Sequence, residues 1–216
     1  MNLSHYDHVK EMISNKAQLC IVSKGQSIKD IQTYYDLGER IFGENRVDQL
    51  IQKATSLPKD IEWHYIGHLQ KNKVKQVIPY ITCLESLDSY ALANLLQKEA
   101  SKINKHIDVL LEVHLADEDI HKTGLLPQDV IPLYNQIKDY SHIHIKGIMA
   151  MGPNTLDTDR IKEVFIKAKE IFDILHKQDT NISILSMGMS DDYTIALSCG
   201  STMVRIGTYL FMEDTI

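Results

Sequence analysis

Cysteine is scarce and scattered in this chain of 216 residues. Cys20, Cys83 and Cys199 lie far apart, their number is odd, and no Cys-x-x-Cys pair occurs. This usage argues against a disulfide framework, because stapled domains carry cysteines in pairs. We therefore expect three reduced, mostly buried thiols and a cytoplasmic location.

Two further absences limit the classes of partner. No stretch approaches the roughly 18 consecutive apolar residues of a membrane-spanning helix, and MNLSHYDHVKEMIS lacks the apolar core of a signal peptide. Positive charge is not in excess either, since the formal net charge is −6. A sequence-independent nucleic-acid binder needs a basic surface to displace counterions. We therefore expect neither a membrane nor a nucleic acid among the partners, whereas one local anion site is compatible with this charge.

Linkers and low-complexity segments are also missing. The five prolines are spread along the sequence, and no run rich in proline, glycine or serine interrupts it. Hydrophobic residues make up 44% and charged residues 24%, an ordinary composition for a domain with a sizeable core. We predict that residues 1–216 form a single domain.

What the sequence does contain is a regular alternation of strand-like and helix-like segments. Short runs that favour strands occur near residues 18–23, 40–44, 62–67, 82–86, 106–114, 142–150, 182–187 and 202–207. Helical patterns separate them; in RIKEVFIKAKEIFDILHK, apolar residues recur every three to four positions. Several strands, such as HIDVLLEV, are apolar on both faces, which is typical of a parallel sheet covered by helices.

This alternation predicts an α/β protein, a single (β/α)8 TIM-type barrel with an extra N-terminal helix. The length suits a small member of that fold class. An open doubly wound sheet is the alternative, but no Gly-x-Gly-x-x-Gly follows the first strand. We expect an N-cap among Asp157, Thr158 and Asp159 for the helix after the sixth strand, and Asp88 as the cap after the fourth.

In such a barrel, binding groups lie on the loops that follow the strands, and the loops after strands 7 and 8 commonly bind phosphate. Here those loops carry Ser190, Gly207 and Thr208. Ser190 begins a predicted helix whose free N–H groups attract an anion, Gly207 allows close backbone approach, and Thr208 adds a hydroxyl. Asp191 and Asp192 are then expected to cap the helix and point to water. Alternatively, these residues only shape tight turns.

Lys24 directly follows the first predicted strand, in LCIVSK. A partly desolvated lysine at a barrel mouth is a nucleophile for carbonyl groups, although an ordinary surface lysine is the alternative. Together with a phosphate site across the same mouth, Lys24 indicates a phosphate ester that carries an aldehyde. Pyridoxal 5′-phosphate has both groups.

Several segments carry a family resemblance. They are Lys24, FGENRV, WHYIGHLQKNK, HKTG, GIMAM, and LSMGMSDD followed by GSTMVRIGT. With these segments the sequence resembles the pyridoxal phosphate homeostasis protein family, which is similar to the N-terminal barrel of bacterial alanine racemase. The resemblance extends from about Ile21 to Phe211, and it is specific because the motifs occur together.

The resemblance implies a barrel that holds the cofactor as a Schiff base on Lys24. It implies phosphate contacts from Ser190, Gly207 and Thr208. It also implies that Arg205 lies near the pyridine nitrogen.

Three further positions are expected near the cofactor. Asn45 of FGEN matches a pocket residue near the ring, His68 lies at the rim, and Met189 is expected to pack against the flat ring. The sequence departs from the family in three places: His114 replaces a usual asparagine, GQS follows Lys24, and the chain ends in LFMEDTI. We expect the first departure to alter polarity at the ring and the other two to affect only the rim.

The resemblance implies a role in intracellular pyridoxal phosphate homeostasis. The protein would buffer the cofactor and deliver it to apo forms of pyridoxal phosphate-dependent enzymes, without strong catalysis of its own. Strong catalysts of this class keep the ring nitrogen protonated, usually with a carboxylate. Arg205 is permanently charged and opposes that protonation by like-charge repulsion.

Two enzymatic alternatives remain open. A pyridoxal phosphate-dependent amino-acid racemase of this barrel type also uses an arginine, but it needs a tyrosine from a C-terminal β domain of the partner subunit. The sequence ends at Ile216, so we expect no such domain and no proton donor on the opposite face. The other alternative is a barrel enzyme that acts on a different phosphorylated metabolite, with Lys24 as its Schiff-base lysine.

Histidines share strand faces in two places, His64 with His68 and His142 with His144. No cysteine or carboxylate completes a spacing typical of zinc, so we expect no metal site. The expected assembly is a monomer or a weak dimer.

Overall fold

The computed structural model describes residues 3–116 and 123–212, and its strands close into one parallel barrel. The strands are β1 (Gln18–Val22), β2 (Ile41–Glu44), β3 (Glu62–Tyr65), β4 (Cys83–Leu87), β5 (Ile107–Val113), β6 (Ile143–Ala150), β7 (Ile184–Ser186) and β8 (Met203–Ile206). Each strand pairs with its neighbour in chain order, and β8 pairs with β1. The predicted barrel is confirmed, and the open doubly wound sheet is excluded because the sheet closes on itself.

Helices connect the strands and cover the outer face of the barrel. They are α1 (Leu3–Ile13), α2 (Ile28–Asp36), α3 (Val47–Ser56), α4 (Val74–Val77), α5 (Tyr90–Lys102), α6 (Pro127–Ile137), α7 (Thr158–Gln178), α8 (Tyr193–Ser198) and α9 (Thr208–Phe211), with a short 3-10 helix at Lys71–Lys73. The first of them is the predicted N-terminal helix. Within residues 3–116 and 123–212, none of the helices has the length and apolar character needed to cross a membrane.

The longest helix, α7, forms where its sequence predicts. Asp157 caps it, because its side chain accepts hydrogen bonds from the backbone N–H groups of Asp159 and Arg160. The buried face consists of Ile161, Val164, Phe165, Ala168, Phe172 and Leu175. These positions follow the helical period, so this face packs on the barrel while the opposite face meets water.

The predicted cap of α5 is wrong by one residue. The Ser89 hydroxyl, and not Asp88, accepts the hydrogen bond from the backbone N–H of Leu92. Asp88 instead points to the imidazole of His68, with 3.2 Å between Asp88 Oδ2 and His68 Nδ1. The contact of Asp88 with His68 leaves Ser89 as the residue that caps α5.

The barrel interior contains polar side chains. Glu85 on β4 accepts a hydrogen bond from Ser186 on β7. Since these two strands are not neighbours, the bond can only run across the interior of the barrel. A small apolar cluster of Cys83, Leu110 and Met149 is separate from the main core.

All three cysteines are free, and two of them are buried. Burial and the charge of Glu85 raise the pKa of Cys20 well above its usual value, although Arg205 partly offsets this effect. Burial likewise raises the pKa of Cys83. Both groups are therefore neutral thiols, as expected.

Candidate functional site

A cavity of about 370 Å³ opens at the carboxyl end of the barrel, where the loops after β1, β7 and β8 meet. Its size falls in the roughly 300–1,000 Å³ range of small-molecule sites. We call it the Lys24 cavity and define it by its lining, which consists of Val22, Lys24, Gln26, Met189, Ser190, Asp191, Arg205, Gly207, Thr208, Phe211 and Met212. Because β8 pairs with both β1 and β7, closure of the barrel brings these loops together.

Six of the eight predicted site residues lie in this lining. They are Lys24, Met189, Ser190, Arg205, Gly207 and Thr208. Lys24 lies in the turn directly after β1, where its side chain is exposed at the mouth. The lining carries two cations, Lys24 and Arg205, against one carboxylate, Asp191, so its net charge favours an anion.

Ser190 lies in the loop after β7, and contrary to the prediction it does not begin a helix. The next helix, α8, starts three residues later at Tyr193. The Ser190 hydroxyl accepts a hydrogen bond of 3.2 Å from the backbone N–H of Tyr209, in the first turn of α9. This contact holds the loops after β7 and β8 at a fixed separation, which places Ser190 beside Thr208.

The two aspartates after Ser190 do not both face water, so that expectation is wrong for Asp192. Asp191 is exposed, but Asp192 is only 6% exposed. Its Oδ1 accepts a hydrogen bond of 2.6 Å from the backbone N–H of Met189. Burial raises the pKa of Asp192 despite this hydrogen bond and the charge of Arg205. Asp192 therefore stabilises the turn after β7 from inside.

Two glycines serve different purposes in these loops. Gly188 has a φ of +95°, and a Cβ there would lie 2.6 Å from the Cβ of Ala196, so the turn itself requires glycine. Gly207 has a φ of −124°, which other residues adopt. A Cβ at Gly207 would lie 3.0 Å from the Val22 carbonyl oxygen. Gly207 thus lets the loop after β8 pack closely against the end of β1, inside the cavity.

Arg205 forms the floor of the Lys24 cavity and is only 4% exposed. Its Nη1 donates hydrogen bonds to the Ser186 carbonyl at 2.9 Å and to the Ser186 hydroxyl at 2.6 Å. Its Nη2 donates to the Ala150 carbonyl at 3.1 Å. These contacts with β6 and β7 fix the plane of the guanidinium.

A buried carboxylate lies below Arg205. Glu85 Oε2 is 3.7 Å from Arg205 Nη1 and accepts a 2.6 Å hydrogen bond from the Ser186 hydroxyl. Glu85 Oε1 lies 2.7 Å from His64 Nδ1. Burial raises the pKa of Glu85, but the hydrogen bond and charge of His64, together with the charge of Arg205, outweigh it, so the pKa lies below its usual value. Glu85 is therefore ionised inside the barrel.

The same region brings together three side chains of metal-ligand type. One ligand atom each of Cys20, His64 and Glu85 lies within 4.8 Å of the others. His64 and Glu85 share a hydrogen bond, and burial raises the pKa of the Cys20 thiol. The contacts are those of a hydrogen-bonded network.

Behind Lys24, a buried ion pair fixes the end of β1. Lys53 on α3 donates hydrogen bonds to the Glu44 carboxylate and, at 2.7 Å, to the Ser23 carbonyl. The Ser23 hydroxyl donates to Glu44 Oε1 at 2.8 Å. Lys53 and Glu44 are both buried. Ser23 directly precedes Lys24, so the Lys53–Glu44 ion pair fixes the position of the backbone at Lys24.

Asn45 and His68 lie outside the Lys24 cavity lining. The backbone carbonyl of Asn45 accepts a hydrogen bond from the Tyr65 hydroxyl. The side-chain Oδ1 of Asn45 is buried and has no hydrogen-bond partner within residues 3–116 and 123–212. His68 is exposed and pairs with Asp88. Their part in the site stays a prediction. His121 and Lys122 of the HKTG motif lie outside the described residues.

Sequence reasoning missed the supports of the site, Glu85, Ser186, Glu44 and Lys53, and the lining residues Gln26, Asp191, Phe211 and Met212. Glu85 carries a detectable signal, because it is a charged residue within an apolar strand. Glu44 belongs to the FGENRV segment, and Gln26, Phe211 and Met212 belong to the departures expected at the rim, but nothing in the sequence shows their contacts. The roles of Ser186 and Lys53 depend on contacts between distant parts of the chain.

Comparison with known proteins assigns the chain to a family. The family model described as "Alanine racemase, N-terminal domain" matches residues 3–215. The "Pyridoxal phosphate homeostasis protein" of Helicobacter pylori (strain ATCC 700392 / 26695) is 40% identical over 199 residues, which cover 91% of this chain and 87% of that protein.

Solved structures agree with this assignment. PipY of Synechococcus elongatus PCC7942, described with PLP bound, is 31% identical and superposes with a TM-score of 0.88, covering 97% of this chain and 99% of PipY. An alanine racemase of Clostridium difficile 630 is 14% identical with a TM-score of 0.80, and covers 99% of this chain but 56% of the racemase, so it shows the fold alone. The chain belongs to the pyridoxal phosphate homeostasis protein family, and its barrel has the fold of the alanine racemase N-terminal domain.

Proposed function

We propose that this protein binds pyridoxal 5′-phosphate in the Lys24 cavity, as a Schiff base on Lys24, and acts in pyridoxal phosphate homeostasis by buffering and delivering the cofactor. One observation carries the proposal. A lysine amine, a small-residue anion cradle and a buried arginine line one cavity of suitable volume. The PipY structure with PLP bound supports the choice of ligand, because the two chains match over nearly their whole lengths.

The residues present fit this cofactor. Ser190 and Thr208 offer hydroxyl groups to a phosphate, and the missing side chain of Gly207 leaves space beside them. Lys24 and Arg205 supply positive charge, which exceeds the negative charge of Asp191 at the mouth. When bound, the cofactor supplies an aldehyde that forms an imine with an amine.

Lys24 supplies that amine. As a neutral amine, Nζ would form a C=N bond with the aldehyde carbon, and its two hydrogens would leave with the aldehyde oxygen as water. Arg205 contributes only donors to the cavity, because a guanidinium stays protonated in proteins. It therefore accepts no proton and would oppose a positive charge on a ring bound in the cavity, which supports a binding role without strong catalysis.

The same reasoning extends to location and partners. Three free cysteines fit the reducing cytoplasm, so we place the protein there, as a monomer or a weak dimer. Its proposed recipients are apo forms of pyridoxal phosphate-dependent enzymes.

Mixing the purified protein with pyridoxal 5′-phosphate tests the binding proposal. We expect a visible absorbance band at one cofactor per chain, loss of that band on borohydride reduction, and a stable mass increase on the peptide that contains Lys24. A colourless protein with no mass increase would refute the proposal. Amino-acid racemisation well above that of the free cofactor would instead favour an enzyme.

Gly207→Ala should weaken cofactor binding about tenfold, or about 1.4 kcal/mol. The added Cβ would lie 3.0 Å from the Val22 carbonyl oxygen and would push the loop away from β1. Titration of the visible band measures this change. Thr194→Ala, an exposed position of α8 outside the lining, is the control and should bind like the wild type. Equal affinity of the two variants would show that close approach at Gly207 is not needed.

A further inference from the structure

A chain of buried hydrogen bonds runs from the floor of the Lys24 cavity into the barrel. Arg205 Nη1 donates to the Ser186 hydroxyl at 2.6 Å, and that hydroxyl donates to Glu85 Oε2, also at 2.6 Å. Glu85 Oε1 is 2.7 Å from His64 Nδ1. The four side chains come from β8, β7, β4 and β3, so the chain crosses the closed barrel.

The direction of each bond is determined. Arginine only donates, so the Ser186 hydroxyl accepts from Arg205 and must give its own hydrogen to Glu85. An ionised carboxylate only accepts, so His64 carries its proton on Nδ1. None of the four side chains is among the buried groups that lack a partner in the part of the chain that the structure describes. The three hydrogen bonds of the network are therefore made by protein groups alone.

We propose that Glu85 is a positioning residue of the cofactor site, which orients Arg205 through Ser186 and supplies its counter-charge. This inference rests on the proposed function. A lone guanidinium in a low-dielectric interior would present its full charge to the ligand. With a carboxylate oxygen 3.7 Å from its Nη1, Arg205 presents a partly neutralised charge instead. Glu85 therefore affects the proton affinity of groups on the bound ligand without touching it.

Other titratable groups near this network differ in their contacts. Cys20 and Cys83 face Glu85 as neutral thiols, because burial raises the pKa of each. Glu112 on β5 is also buried, but its carboxylate accepts from the Thr123 hydroxyl and makes no hydrogen bond with the network. Burial raises the pKa of Glu112, and its carboxyl group acts on Arg205 through charge alone. Glu112 is thus a control for a buried carboxyl group that lacks the hydrogen-bonded link to Arg205.

Glu85→Gln tests the proposal in the protein loaded with pyridoxal 5′-phosphate. The change removes one negative charge and keeps the side-chain shape. Arg205 then loses the charge of Glu85, while the buried carboxyl groups of Asp192 and Glu112 still act on it. The protonated Schiff base on Lys24 is therefore disfavoured, and its titration midpoint should move to lower pH by about one unit. The measurement is the visible spectrum as a function of pH. Glu112→Gln should shift the midpoint by less than half as much.

The outcomes separate a positioning role from a structural one. A residue that only supports the fold would lower the unfolding temperature without moving the midpoint, so an unchanged midpoint would overturn the proposal. Equal shifts in Glu85→Gln and Glu112→Gln would overturn it too, because any interior carboxylate would then suffice. A wild-type protein without a visible band would refute the proposed function itself.

Ser186→Ala keeps both charges and breaks the hydrogen-bonded link, so it provides a test even if Glu85→Gln does not fold. We expect weaker binding of pyridoxal 5′-phosphate with the midpoint close to the wild-type value. Wild-type affinity in this variant would show that Arg205 does not need the link.

Discussion

Replacing Lys24 with alanine is expected to abolish covalent attachment of pyridoxal 5′-phosphate to this protein. Lys24 is the only lysine in the Lys24 cavity lining as the structure describes it. Without its amine, borohydride has no C=N bond to reduce. The measurement is the intact mass after incubation with cofactor and reduction, which should show no added cofactor in Lys24→Ala and one per chain in the wild type.

Some affinity should survive in this variant. Ser190, Thr208 and Arg205 remain in place, so they can still hold a phosphate and a ring without a covalent bond. Lys29→Ala is the matched control, because Lys29 is exposed on α2, a few residues away, and outside the lining. It should attach the cofactor like the wild type. Full, borohydride-stable labelling of Lys24→Ala at another lysine would contradict the assignment.

The barrel could be predicted because the segments differ clearly in pattern. Strand β5 is buried along nearly its whole length and has the apolar run Val109, Leu110 and Leu111 at its centre, and α7 shows the helical period over its whole length. Local sequence determines both features. The choice between Asp88 and Ser89 as the cap of α5 could not be predicted, because it depends on the contact of Asp88 with His68.

The cavity lining was partly predictable for a related reason. In a parallel barrel, the residue after each strand reaches the same rim, so Lys24, Ser190 and Thr208 could be placed from strand ends alone. The same rule also placed Asn45 and His68 at the rim. It does not say which of the rim residues share a cavity, however, and His68 lines a different cavity, next to Tyr65 and Arg46.

The supports below and behind the cavity could not be predicted. Glu85 stands out in the sequence as a charge in an apolar strand, but its partner Ser186 lies 101 residues further along the chain. From the sequence, Lys53 is expected on the polar face of an amphipathic helix, yet it is buried. In both cases the role follows from closure of the barrel and packing of a helix, which bring the partners together.

Lys53→Met should lower the free energy of unfolding by about 3–5 kcal/mol, because it removes one partner of a buried ion pair. Methionine keeps most of the apolar stem, so the loss reports the ammonium group. Among the residues that the structure describes, Glu44 would keep only the Ser23 hydroxyl as a donor, and its buried Oε2 has no partner there even in the wild type. Urea unfolding of the protein without cofactor measures the change.

The double variant Glu44→Gln with Lys53→Met distinguishes a buried charge from lost packing. If the single variant suffers from an uncompensated carboxylate, neutralising Glu44 should recover about 1–3 kcal/mol of that loss. Lys102→Met is the control, since Lys102 pairs with Glu99 at the surface, where solvent screens the charges, and its effect should be far smaller. If the loss in free energy of unfolding of the double variant equalled the sum of the losses of the two single variants, the Lys53 and Glu44 charges would act independently.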